Sequence, residues 1–336
     1  MRCPGTASYY TERRYGRMES RQTAAIMGVV FGVALFGFLG VCTRYYMDDC
    51  GLESMDVVLI RLTVASTVLA AILAILTRSS LKISLRDVPL FVLFGGFKFF
   101  SDYTYFYAQD TISLCLSTLL QMTAPFYVMF ISVVLFKDRI TLKKLVALTV
   151  GAIGCVMVTG VLTGNIDAGT AGILSALISG LFYGMFMIGS KISLDRGIKP
   201  ETNLFYTLLF ATLISLPFSN VGGVAEAVSD TEGMLMAVLL GVLLTLVPYF
   251  LLAWSVKYLA PTVSSMISTL EVVVAAAVGY AFFDENLGIL NIAGMLLVIA
   301  SIILMDLKLR RDYIKRFGKY IPPGIRNAVG HVREKF

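Results

Sequence analysis

The chain has 336 residues, 57% of them apolar and only 15% charged, with a mean hydropathy of +0.80. Soluble domains average about 25% charged residues, so this composition excludes an ordinary soluble domain and fits a membrane protein. The formal charge of +6 would suggest nucleic acid in a soluble chain, but its distribution follows the pattern of membrane topology instead.

In chain order, ten apolar stretches run at about 24–43, 57–77, 88–109, 111–136, 145–166, 168–190, 202–225, 233–256, 258–283 and 286–305. Each is near the roughly 20 residues that a helix needs to cross a bilayer. β-barrel strands are about half as long and alternate with period two, so the expected fold class is an all-α polytopic membrane protein. Arg78-Ser79-Ser80, Thr163-Gly164-Asn165, Gly197 with Pro200, Gly222-Gly223 and Ala260-Pro261 mark turns and helix ends. The first stretch is too long for a typical signal-peptide core and no small-x-small site follows Thr43, so it is expected to be a retained helix.

Placing the N-terminus inside puts all but a few of the 28 basic residues on the cytoplasmic side. These include Arg13, Arg14 and Arg17 in the head, Lys137, Arg139, Lys143 and Lys144 after the fourth stretch, and the basic tail. Opposite loops are acidic, with Asp48, Asp49, Asp110, Glu226, Asp230 and Asp284. This bias predicts cytoplasmic termini, a plasma-membrane location, and a basic head and tail lying against anionic lipid rather than nucleic acid. The five cysteines show no CxxC spacing, which supports neither a disulfide framework nor a metal site. No cofactor is expected.

The second half repeats the first. Placing Ser117 on Ser264 lays Leu116-Ser117-Thr118-Leu119-Leu120-Gln121 on Val263-Ser264-Ser265-Met266-Ile267-Ser268. The same shift lays Phe136-Lys137-Asp138-Arg139-Ile140 on Phe283-Asp284-Glu285-Asn286-Leu287, and Gly51 matches Gly197 at nearly the same offset. Five crossings per unit is odd, so the second copy enters from the opposite side. The expectation is ten transmembrane helices as two inverted five-helix repeats, 24–166 and 167–306, flanked by basic segments 1–23 and 307–336.

On these residues the chain resembles the drug/metabolite transporter superfamily, in particular its ten-helix EamA-type members, over roughly 24–306. The resemblance rests on the fourth stretch with Pro125, the junctions ending in Asp138 and Glu285, and the small-residue fifth and tenth stretches with Gly151, Gly154 and Gly294. Arg61 also sits where members often carry arginine. The first junction has aspartate where members usually have glutamate. The ninth stretch reads Glu271-Val272 where many carry Glu-Pro, which removes the proline kink as an expectation there. The resemblance implies a secondary carrier, often an exporter of amino acids or related metabolites, with its site between the halves. Asp138, Glu285, Pro125 and Arg61 would be structural.

Four charges remain inside the stretches: Arg61, Lys98, Asp102 and Glu271. A central charge costs about +2.5 to +3.5 kcal/mol on insertion scales, so mutual pairing or a wet interior is required. Lys98, Asp102, Tyr105 and Gln109 recur at helical spacing on one face, with Ser101 beside them. That face either lines a substrate cavity, with Lys98 meeting an anionic group, or holds a purely structural Lys98–Asp102 pair. Ser264, Ser268 and Glu271 share a face of the ninth stretch and map onto Ser117, Gln121 and Ala124 of the fourth. Glu271 is a candidate proton-coupling site or partner of a substrate amine, and a fixed salt bridge to Lys98 or Arg61 is the alternative. Arg61, five residues after Asp56, is expected to snorkel to the outer interface. Tyr183, Tyr249 and Trp254 are further cavity candidates, Pro248 a hinge, and the glycines at 28, 32 and 40 a packing face.

The substrate-binding set expected from sequence is therefore Lys98, Asp102, Tyr105, Gln121, Ser268 and Glu271. The partners expected are a small polar metabolite, protons as a coupling ion, and the bilayer, with the chain working as a monomer. Enzymatic activity is not expected, because the sole histidine, His331, lies in the tail and no HExxH, GxSxG or Walker A motif occurs. Carriers of phosphorylated metabolites, a receptor and a channel are the alternatives to an amino-acid exporter.

Overall fold

The computed structural model of the protein describes residues 5–39, 43, 46–47, 50–112, 114–137, 141–158, 169–283 and 288–317; among them there are helices and turns and no strand. Asp138 and Glu285, Gly40 and the Thr163-Gly164-Asn165 turn lie outside the described residues. The first half contains α1 (Gly5–Gly37), α2 (Ser54–Leu76), α3 (Val88–Thr111), α4 (Leu114–Gln121), α5 (Ala124–Phe136) and α6 (Leu142–Val158). The second contains α7 (Thr170–Asp195), α8 (Pro200–Ser215), α9 (Val221–Ala227), α10 (Thr231–Val238), a π-helical segment (Leu239–Leu246), α11 (Val247–Ser255), α12 (Pro261–Ser268), α13 (Leu270–Phe283) and α14 (Ile289–Phe317).

Among the described residues, six helical stretches are long and apolar enough to cross a membrane: Ser20–Gly37, Ser54–Leu76, Ser117–Phe136, Thr170–Asp195, Thr231–Ser255 and Pro261–Val278. The chain is thus a polytopic helical membrane protein. A seventh span forms if α8 and α9 count as one element, bent by 110°. Helix α3 is as long as these but carries Lys98 and Asp102, and the apolar part of α14, Ile289–Leu304, is shorter.

The bend after α8 corrects the expected turn at Gly222-Gly223. Both glycines lie inside α9, and the chain turns instead at Ser219-Asn220. There the Asn220 side chain accepts from the Gly223 N–H at 3.1 Å, capping α9, while its own N–H donates to Asp56 Oδ1 at 2.6 Å. Gly51 and Gly197 both adopt left-handed backbone, with φ of 64° and 79°. After α7 the Ile198 N–H reaches the Ser193 carbonyl and the Gly197 N–H that of Leu194, the double closure that needs such a residue. Proline 248 lacks the N–H that would serve the carbonyl four residues back, and the helix before it widens into the π-helical segment. The Thr245 hydroxyl adds a bond to the Leu240 carbonyl at 2.8 Å.

The main helix contacts are α6 with α14, α2 with α8, α5 with α12, α3 with α7 and α8, α11 with α1, the π-helical segment with α2, α4 and α5 with α7, and α12 and α13 with α1. Exchanging each element for its repeat counterpart leaves this set unchanged apart from α5 with α12, whose image, α4 with α13, is a weaker contact. The pairs α6–α14 and α2–α8 map onto themselves. Both run antiparallel. Gly154 faces Gly294 and Val298 while Gly151 faces Ser301. On the α2–α8 seam, the carbonyl of Met55 meets Ser219 at one end and that of Ser80 meets Thr202 at the other.

Candidate functional site

Helices α2 and α3 bring three charges together where none of them meets water. One guanidinium nitrogen of Arg61 lies 3.1 and 3.0 Å from the two oxygens of Asp102, and the Lys98 ammonium pairs with the same carboxylate from one helical turn away. Arg61, Lys98 and Asp102 are 3%, 0% and 4% exposed, so the cluster is fully enclosed by protein. Lys98 Nζ also stands 4.6 Å from the centroid of Tyr249 on α11, and Arg61 Cζ lies 5.8 Å from that of Phe106. Aromatic faces attract such cations, more strongly once water is removed. Tyr249 is itself braced edge-on by Phe36 and Phe186, at 5.0 and 5.6 Å.

The expected snorkelling of Arg61 is therefore wrong. Five residues separate it from Asp56, but Asp56 does not mark the water boundary. It is itself buried, holding the Asn220 and Glu53 N–H groups. Arg61 points inward because Asp102 on the neighbouring helix offers a charge-assisted hydrogen bond that the interface cannot match.

Both helices that carry the repeated polar motif are broken, and at the same place in the repeat. The first breaks at Met122-Thr123 between α4 and α5, with Pro125 in the first turn of α5, where its missing N–H costs nothing. The second breaks at Thr269 between α12 and α13 without any proline. In each break a threonine hydroxyl takes the carbonyl three residues back: Thr123 to Leu120 and Thr269 to Met266, both at 2.7 Å. Backbone groups freed by breaking a helix in lipid must be satisfied, and these threonines do so locally.

Glu271 lies in the first turn of α13, at the positive end of that half-helix. It is half-buried, and among the described residues it makes no hydrogen bond or ion pair. It lies within electrostatic reach of Arg61, Tyr105, Tyr183 and Tyr249. Among the buried polar atoms without a hydrogen-bond partner are Nε of Arg61 and the hydroxyl of Tyr183.

The other expected residues are engaged elsewhere. Gln121 donates to the Ser179 hydroxyl at 2.7 Å, and Ser179 passes the bond to the Ser101 carbonyl at 2.8 Å, tying α4, α7 and α3. Tyr105 meets Thr118 at 2.8 Å. Ser268 bonds back to the Ser264 carbonyl at 3.1 Å, and the Ser264 hydroxyl lies 2.9 Å from that of Ser255. Trp254 packs edge-on against Tyr258. Ser179, Phe36 and Phe186 were not singled out from sequence, because nothing distinguishes a small hydroxyl or a phenyl ring in an apolar helix from core.

Charges enclosed between the helices of a polytopic chain mark substrate and ion pathways, as in membrane transporters. Residues 23–160 and 170–306 each match the EamA-like transporter family, and the chain belongs to that family. The resemblance drawn from Pro125 and the two junctions is thereby borne out. An uncharacterized transporter of Archaeoglobus fulgidus is 28% identical over 280 residues, covering 82% of this chain and 94% of that one. The uncharacterized transporter YxxF of Bacillus subtilis is 22% identical over 288 residues, covering 84% and 90%. A solved structure described only as "Crystal structure of protein" shares the fold, with a TM-score of 0.70 at 15% identity over 86% of this chain and 98% of that one.

Proposed function

We propose that the protein is a secondary carrier of a small zwitterionic metabolite, an amino acid or a close relative, working by alternating access as an exporter. Ten crossings in two inverted repeats, a monomeric unit, a plasma-membrane location and cytoplasmic termini complete the reading. The exchange-invariant, antiparallel helix pairs support the inverted arrangement. A two-fold operation that maps an antiparallel pair onto itself has its axis across the helices, hence in the membrane plane.

One observation carries the substrate class: the charges are divided between the halves. Arg61, Lys98 and Asp102 belong to α2 and α3, net positive, whereas Glu271 stands unpaired on α13 across the interface. A molecule with a carboxylate and an ammonium group bridges the two, so its binding energy is realised in the closed state that precedes release. No Walker A motif occurs, so a gradient or exchange supplies the drive, with Glu271 as the candidate proton carrier.

Purified protein in liposomes should move amino acids saturably and show counter-flow, and Glu271→Gln should alter the pH dependence of that flux. Unchanged flux at every pH in this variant would remove Glu271 from the reading. Absence of any flux across an amino-acid panel would remove the substrate class.

A further inference from the structure

Lys98 and Asp102 present, one helical turn apart, an ammonium and a carboxylate held by Tyr249 and by Arg61. The protein thus grips its own tethered pair in the way it would grip a zwitterion. We propose that Asp102 is an internal stand-in for the carboxylate of the transported molecule. Binding exchanges the Asp102–Arg61 contact for a ligand–Arg61 contact, and Asp102 retires onto Lys98 alone. The inference rests on the carrier reading and names the group that Arg61 recognises: a planar monoanionic carboxylate.

Arg61 has donors to spare for this exchange. It spends one nitrogen on Asp102, while its buried Nε has no partner. Guanidinium carries five N–H donors in a fork that matches carboxylate geometry. The charge balance favours a carboxylate. At rest one anion serves two cations; after the exchange Arg61 pairs with ligand and Asp102 with Lys98, so no charge is stranded. A dianionic phosphate would bring a surplus negative charge into an enclosed site already facing Glu271, which is costly without a further partner. Asp102 thereby acts as a specificity determinant: only an anion able to replace a side-chain carboxylate on Arg61 gains entry, and while empty the two cations share the one carboxylate.

The test reads melting temperature of the full-length purified protein against sodium acetate, with sodium chloride at equal ionic strength as reference. The discriminating variant is Lys98→Gln/Asp102→Asn, which leaves net charge unchanged, so general attraction of anions predicts no change. The exchange predicts a half-maximal acetate concentration lower by about tenfold or more, because Arg61 no longer has to be vacated and apparent affinity scales with the competent fraction. An unchanged or weaker acetate response overturns the proposal, as does an equal sharpening for inorganic phosphate. Should the variant fail to fold, an infrared difference spectrum of the wild-type protein with 13C-acetate must show a perturbed side-chain carboxylate band, and an unperturbed band overturns it equally. Flux of amino acids with an unchanged acetate response would sink this inference and leave the carrier standing. A sharpened acetate response without flux would do the reverse.

Discussion

Gly154 on α6 stands so close to α14 that a Cβ there would lie 2.9 Å from the carbonyl oxygen of Gly294 and 2.9 Å from a methyl of Val298. Contact of this kind is how helices gain packing in lipid, where burying apolar side chains gives no advantage over lipid tails. Gly154→Leu should therefore lower the melting temperature, in line with the roughly 1–3 kcal/mol typical of overpacking. Gly96, whose Cβ would meet nothing within 4 Å, is the control, and Gly96→Ala should leave stability near wild type. Equal melting temperatures for the two variants would mean that the α6–α14 contact is not as close as described.

The shared carboxylate orders the consequences of breaking the charge cluster. Arg61→Met leaves Asp102 paired one-to-one with Lys98, whereas Asp102→Ala leaves two enclosed cations facing each other. Removing one partner of a buried pair costs about 3–5 kcal/mol, chiefly through the charge that is left. Asp102→Ala should accordingly be the more damaging in melting temperature and yield. The reverse order would show that Arg61, and not Asp102, is the member on which the cluster's stability depends.

Much of this site was legible from spacing within one helix, and little of it from relations between helices. The i,i+4 pair Lys98–Asp102 follows directly from helical periodicity. The inward turn of Arg61 does not, because its partner lies on another helix, and a nearby aspartate in sequence looked like a surface marker. The break in the fourth stretch is announced by Pro125; that in the ninth, at Thr269, is announced by nothing but its repeat position. The Gly222-Gly223 pair drew the expected turn away from Asn220, whose side chain and N–H both find partners at the true bend. The hydroxyl network through Ser179 is equally silent in sequence, since serine is ordinary in membrane helices.

The orientation of the chain is open to a direct check. Lys143 at the start of α6 and Glu226 at the end of α9 belong to opposite membrane faces if the basic-residue bias governs insertion. Single cysteines at these positions, in a background without native cysteines, should react with a membrane-impermeant maleimide from the cytoplasmic side at 143 and from outside at 226. Labelling of both from the same side would remove the inverted arrangement and the interface on which the proposed site depends.

The proline-free break at Thr269 makes the sharpest structural forecast. Val272 occupies the repeat position of Pro125, in the first turn of α13, where its N–H donates to the Thr269 carbonyl at 3.2 Å. Val272→Pro removes that single turn bond, worth about 0.5–1.5 kcal/mol net, together with some of the packing of a side chain that is 3% exposed. Val278→Pro, mid-way along α13, also places its ring against the carbonyl four residues back and should cost about 3 kcal/mol or more. Val272→Pro should therefore fold and elute as a single species with a modest loss in melting temperature, while Val278→Pro should lose most of its folded yield. Equal damage at the two sites would mean that the helix runs unbroken through Thr269, which would move Glu271 out of a first turn and away from the positive end of a half-helix.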